Sequence, residues 1–182
     1  MKLLAIDPGT ANTGYALFEN KKLVDAGLFS KMTKETAETG IDNIKSKFLM
    51  YLKDVSPDLL VVEDFVFQRL NVYKNGRSQK AFFQSPLSQI VLERLRTTLE
   101  VHASVSRVKV LPRVNVRSWQ AEIGISTTRG MPKDEVKAIS KKFATLVYGD
   151  VIERLKLGKL KKHQDAFDAI CIGHYSLARQ HY

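Results

Sequence analysis

Residues 2–20 read KLLAIDPGTANTGYALFEN, and residues 163–175 read HQDAFDAICIGHY. The first stretch sets the frame of the fold. An apolar run over Lys2–Asp7 ends on a carboxylate and stops at Pro8-Gly9, the pattern of a buried strand followed by a turn. Gly14–Glu19 and Leu23–Phe29 then flank Asn20-Lys21 and read as a hairpin pairing with that first strand. The acids raise the functional question. An ionised Asp is costly to bury unless a cation or a set of donors compensates it, so something must compensate Asp7, Asp165 and Asp168.

Further along, Ile41, Ile44, Phe48 and Leu52 repeat at helical spacing within Thr36–Lys53. Ser56-Pro57 ends that helix, and Leu59–Phe67 reads as the next buried strand. Arg69–Lys80 reads as a polar, basic loop. Ser85 as N-cap and Pro86 at the first helical position open a helix to about Glu100. Arg107–Leu111 is a further strand, with a short helix around Trp119. Pro132 opens a helix to Tyr148, and Gln164–Gln180 forms the last. The expectation is one α/β domain spanning residues 1–182. Its mixed five-stranded sheet combines an antiparallel hairpin with parallel strands and is flanked by helices.

The chain has 182 residues and is 44% hydrophobic, enough for a proper core without disulfides or a structural metal. Its single Cys171 excludes an intrachain disulfide. No apolar run reaches the roughly 18 residues that cross a bilayer, and the N-terminus enters a strand pattern directly, without a signal peptide. These features predict a soluble, cytoplasmic protein. The net charge is +10 and is unevenly placed. Residues 1–68 carry eight Lys/Arg against ten Asp/Glu, whereas residues 69–182 carry twenty-one against nine. A basic excess confined to one part of the chain fits a polyanion-binding face better than a merely solubilising surface.

Asp7 ends the first strand, and Glu63-Asp64 lie near the end of the fourth. If these strands are parallel neighbours, Asp7 and one acid of the pair meet at the edge where α/β sheets usually place their chemistry. Asp165 and Asp168, three apart, project from one helix face, while Ala166, Ile170, Gly173 and Leu177 form the side that packs on the sheet. Each acid alone has a plainer reading: a turn at Asp7-Pro8-Gly9, a solvated strand end, a favourable helix dipole for Asp165. Together they pose a charge problem, since two carboxylates about 4 Å apart repel by about 4 kcal/mol at an effective dielectric of 20. Either some stay protonated or divalent cations sit among them. Oxygen donors with no Cys, and only His163 nearby, suit Mg²⁺ or Mn²⁺ rather than zinc. Two such ions form the clamp used for phosphodiester hydrolysis.

AIDPGTANTGYAL (5–17), LLVVEDFVF (59–67) and HQDAFDAICIGH (163–174) together resemble the RuvC-type Holliday junction resolvases of the ribonuclease H-like superfamily. The resemblance implies that Asp7, Glu63, Asp165 and Asp168 are the catalytic metal-binding acids. It also implies two Mg²⁺ ions per site, with Mn²⁺ able to substitute. A homodimer making symmetric nicks across a four-way DNA junction follows from the same likeness, working in a bacterial or phage-infected cell. The chain departs from bacterial members at Asp64, where they carry an uncharged residue, and in residues 68–96, which lack their Gly-rich helix start.

For DNA contact, Lys133, Lys137 and Lys141 recur at four-residue spacing, Arg129 precedes them, and Lys161 and Lys162 lead into the acidic helix. Such residues would hold phosphates in register. Tyr73, with Arg69, Lys74 and Arg77 beside it, is placed to stack on an unpaired base at a branch point. Trp119 reads as a core anchor, and His163, Cys171 and His174 as structural. Three rivals stand against a junction resolvase. An actin-like ATPase begins with a similar D-x-G-T strand but needs two such domains. A catalytically dead junction-binding protein would not need all four acids. Another nuclease of the same fold, acting on flaps, forks or RNA–DNA hybrids, remains open.

Overall fold

The computed structural model describes residues 1–32, 34–64, 69–74, 77–82, 86–125, 133–159 and 163–179, with the backbone alone at 37, 69–74, 77–82, 86 and 133. Strand β1 (Lys2–Asp7) is the centre of the sheet. It pairs antiparallel with β2 (Asn12–Glu19) and parallel with β4 (Leu59–Asp64). β2 pairs in turn with β3 (Lys22–Ser30), across a two-residue turn in which Asn20 and Lys21 both take positive φ, 50° and 66°. That geometry matches the twist of the flanking strands. β7 (Lys109–Val110) lies parallel to β4, giving the order β3-β2-β1-β4-β7.

These are the five expected strands, with a short sixth added. β8 (Val114–Asn115) pairs with the far end of β4. Pro112 lies between β7 and β8 and has no N–H to donate, so the two short strands do not run on as one.

β1 is buried on both faces, so its side chains alternate between two cores. Leu4 and Ile6 pack with Leu60, Val62 and helix α1 (Ala37–Val55), which buries Ile41, Ile44, Phe48 and Leu52 as its spacing predicts. Thr36 caps α1 by accepting from the Thr39 N–H, and Ser56, with φ 44°, ends it. Helix α2 (Pro86–Val105) joins this face through Val91, Leu95 and Leu99, and runs one turn past the expected end. Leu3 and Ala5 face the opposite core, with Ala16, Phe18, Val61, helix α3 (Val116–Glu122), helix α4 (Lys133–Arg154) and helix α5 (Gln164–Arg179).

Two expectations change. The segment expected as a basic loop over Arg69–Lys80 is a hairpin, β5 (Arg69–Lys74) pairing antiparallel with β6 (Arg77–Phe82). The alternation of Leu70 and Val72 with polar neighbours, and the Asn75-Gly76 pair, are hairpin signals that outweigh its polarity. α4 does not stop at Tyr148. It kinks there, at φ −129° and ψ 29°, and continues to Arg154. The Tyr148 hydroxyl meets His174 Nδ1 at 2.7 Å, tying the kink to α5. β4 is described only to Asp64, so Phe65, Phe67 and the Ser85 cap lie outside the described residues.

Candidate metal centre

The site grows from strand parity. Leu3, Ala5 and Asp7 share one face of β1, and Leu59, Val61 and Glu63 share the same face of β4. With Ile6 opposite Val62, Asp7 and Glu63 end adjacent parallel strands on the α5 side. Asp64 has the other parity. It turns towards α2, where its carboxylate lies 3.9 Å from Arg113. The choice between the two acids is thus a consequence of alternation, and Glu63 is the one that faces Asp7.

α5 reaches this edge because the strands beneath it are stripped of bulk. Ala5 and Ala16 are cross-strand partners, and Gly14 lies opposite Asp7. A Cβ on Gly14 would collide with the Asp165 backbone carbonyl, and one on Gly173 with the Phe18 ring. The loop after Asp7 is closed by Thr13, fully buried, whose hydroxyl donates to the Gly9 carbonyl at 3.0 Å. The result is a cluster in which Asp7, Asp165 and Asp168 each offer a carboxylate oxygen within 4.8 Å of the others. Glu63 adjoins it at the end of the neighbouring parallel strand, close enough for its charge to act on Asp7.

All four acids hold their protons more tightly than usual. Burial pushes Asp7 well above the ordinary carboxylate range, and the charges of Glu63, Asp168 and Asp165 add to the effect. Burial raises Glu63 to about 7, although the Trp119 indole and Arg96 favour its ionised form. Asp168 rises to about 6 for the same first reason, opposed by Ser140 and Gln164. Asp165 is raised by burial and eased by Lys137. A desolvated, mutually repelling set of hard oxygen donors suits a hard divalent cation, so the residues present fit Mg²⁺ or Mn²⁺.

Around the acids lie groups whose role the linear sequence did not disclose. Trp119 is the expected core anchor at 3% exposure, but its Nε1 also donates to Glu63 Oε1 at 2.7 Å. Gln164 Nε2 donates to Asp168 Oδ1 at 3.0 Å and to Ser140 Oγ at 2.7 Å, linking α5 to α4. Its position one residue before Asp165 was the available signal. Arg96, 2% exposed, donates Nε to the Glu63 carbonyl at 2.9 Å. Its interruption of the apolar run Leu92, Leu95, Leu99 marked it in the sequence.

Of the candidate DNA contacts, Lys137 lies close enough to the cluster to act on Asp165 and Asp168. Lys141 follows one turn later, exposed, with Nζ 5.9 Å from the Phe167 ring centre. Lys133 starts the same helix. Arg69, Tyr73, Lys74 and Arg77 belong to the β5–β6 hairpin, with Lys74 opposite Arg77 and Tyr73 opposite Ser78. Arg129, Lys161 and Lys162 lie outside the described residues. The residues read as structural are so placed: Gly158 N–H donates to His163 Nδ1 at 3.0 Å, and Cys171 is buried.

No family model matches the chain. The crossover junction endodeoxyribonuclease RuvC of Aliarcobacter butzleri is 37% identical over 71 residues, 37% of this chain and 46% of that protein. The match therefore spans less than half of that relative's length. The RuvC of Fusobacterium nucleatum is 23% identical over 180 residues, 96% of this chain and 80% of that protein. Among solved structures, Thermus thermophilus RuvC in complex with a Holliday junction substrate superposes with a TM-score of 0.62 at 16% identity, covering 96% of this chain and 91% of that one. A second T. thermophilus RuvC structure gives 0.60 at 18% identity, covering 96% and 92%. In sequence and in architecture the chain is RuvC-like, with the ribonuclease H-like fold of RuvC.

Proposed function

We propose that this chain is a metal-dependent, structure-selective DNA endonuclease that resolves four-way junctions by paired nicks. One observation carries the reading: Asp7, Asp165 and Asp168 converge within 4.8 Å, with Glu63 beside them, at the C-terminal ends of two parallel strands. The RuvC relatives, one of them bound to a Holliday junction, supply the substrate class.

Asp7, Glu63, Asp165 and Asp168 would hold two Mg²⁺ ions, or Mn²⁺ in their place. Bound there, the pair would supply an activated water and stabilise the departing oxyanion. The chain's own residues orient that site: Gln164 and Ser140 steady Asp168, and Lys137 sets a positive charge at its rim, where a phosphate would approach. Lys141 extends the positive face along α4, and the β5–β6 hairpin, with Tyr73 near its tip, extends the contact to the branch point. Neutralised phosphates of this kind make binding fall as salt rises.

Symmetric nicking requires two sites, and one chain holds one acidic cluster. α2 offers the means of pairing. Its inward side is in the core, while Leu87, Ile90, Val101 and Val105 form an outward stripe, with Ile90 65% and Val105 77% exposed. A two-fold homodimer through this face buries it and duplicates the site. The chain would act as a single domain, with DNA in the cytoplasm. Among the described residues no helix is long and apolar enough to cross a membrane.

The test is cleavage by purified protein with Mg²⁺ or Mn²⁺ on a panel of four-way, forked, flap, duplex and RNA–DNA hybrid substrates. Preference for the four-way junction, with nicks paired across it, supports the proposal. Preference for flaps or hybrids would assign the chain to another nuclease activity of the same fold.

A further inference from the structure

Trp119 is the only tryptophan in the chain. An indole carries one N–H and no acceptor, so it cannot ligate a cation, and when buried it needs an acceptor. Core packing alone could have been met by Phe, with no N–H to satisfy. Here the N–H is spent on a carboxylate oxygen of Glu63, at 2.7 Å.

Donor and acceptor are referenced to the same rung of the sheet. β8 pairs with β4 so that Val114 lies opposite Glu63 and Asn115 opposite Asp64. Asn115 then caps α3, accepting from the Arg117 N–H at 2.9 Å, and the first turn of that helix returns Trp119 to the Glu63 side chain. Packing with Ile123 and Ile125 holds the ring. On the other side, Arg96 grips the Glu63 backbone carbonyl. A glutamate has three side-chain torsions, and here its backbone and one oxygen are both held from elements outside its own strand.

We infer that Trp119 is a positioning residue that fixes the Glu63 carboxylate towards Asp7, and that its indole reports occupation of the acidic site. This rests on the metal-binding reading above. A ligand held by a neighbouring donor loses affinity for its metal when that donor is removed, typically about tenfold or more.

The experiment uses protein without DNA. Mg²⁺ is titrated while tryptophan emission is followed, in the wild type and in Glu63→Gln. The wild type is expected to show a saturable change in emission, and Glu63→Gln to show altered emission without metal and a weakened response. Identical emission in the two proteins, with and without Mg²⁺, overturns the inference. Affinity is then measured by calorimetry for Trp119→Phe, Glu63→Gln and the double variant. Trp119→Phe should bind Mg²⁺ about tenfold more weakly, and the double variant no more weakly than Glu63→Gln. Wild-type affinity in Trp119→Phe, or independent losses that multiply in the double variant, would show that the indole does not act through Glu63. Absence of Mg²⁺ binding by the wild type would instead overturn the metal-centre reading and this inference with it. Wild-type binding with an unaltered Trp119→Phe overturns the inference alone.

Discussion

Replacing Asp168 by Asn should make the metal-free protein more stable while weakening its response to Mg²⁺. Asp168 is held about 6 in the folded chain, against an ordinary 3.8, because burial disfavours its charge and Asp165 repels it. The folded state therefore holds this proton more tightly than the unfolded state does. The stability associated with that proton is complete below the ordinary value and is lost as pH rises through about 6. The difference between 3.8 and about 6 converts to a ceiling of about 3 kcal/mol. Asn keeps the side-chain oxygen that accepts from Gln164 and removes the charge. At pH 8 the variant should gain about 2 kcal/mol, equivalent to roughly 4–8 °C in melting temperature for a chain of this size. The gain should shrink towards zero near pH 4. With Mg²⁺ at tenfold its dissociation constant the wild type gains about 1.4 kcal/mol, and the variant should gain much less. Thermal and urea unfolding at pH 4 and 8, with and without Mg²⁺, measure all of this. Equal stability at pH 8, or the same Mg²⁺ response in both proteins, would refute the reasoning.

Two further outcomes follow from the packing. Gly14→Ala drives a methyl group into the Asp165 carbonyl, so it should cost about 1–3 kcal/mol of stability and weaken Mg²⁺ binding by moving α5; wild-type values in unfolding and calorimetry would contradict the close approach. Ile90→Glu places a charge on the exposed stripe of α2, and sedimentation should show a dimer for the wild type and a monomer for the variant. If that variant stays dimeric, the interface lies elsewhere.

The strands and the acids were readable because each rests on a local pattern. Alternating burial in β1 and β4 follows from short apolar runs, and Asp165 and Asp168 share a face through helical spacing alone. The choice of Glu63 over Asp64 rests on the family resemblance; its physical reason, the phase of β4 against β1, is set by the strand pairing that puts Ile6 opposite Val62. The β5–β6 hairpin was hidden by its basic composition, although Asn75-Gly76 announces a turn. Trp119 looked like packing because its acceptor is 56 residues away in the chain. Arg96 likewise reaches the Glu63 backbone carbonyl, and Ser140 the Gln164 amide that holds Asp168, contacts that no local pattern encodes.

The central claim is that the convergent acids cut DNA while separate basic surfaces hold it. Asp7→Asn tests this most directly, assayed side by side for binding and cleavage of a labelled four-way junction with Mg²⁺. The account predicts a band shift close to that of the wild type and no nicked product. Near-normal cleavage by Asp7→Asn would contradict it.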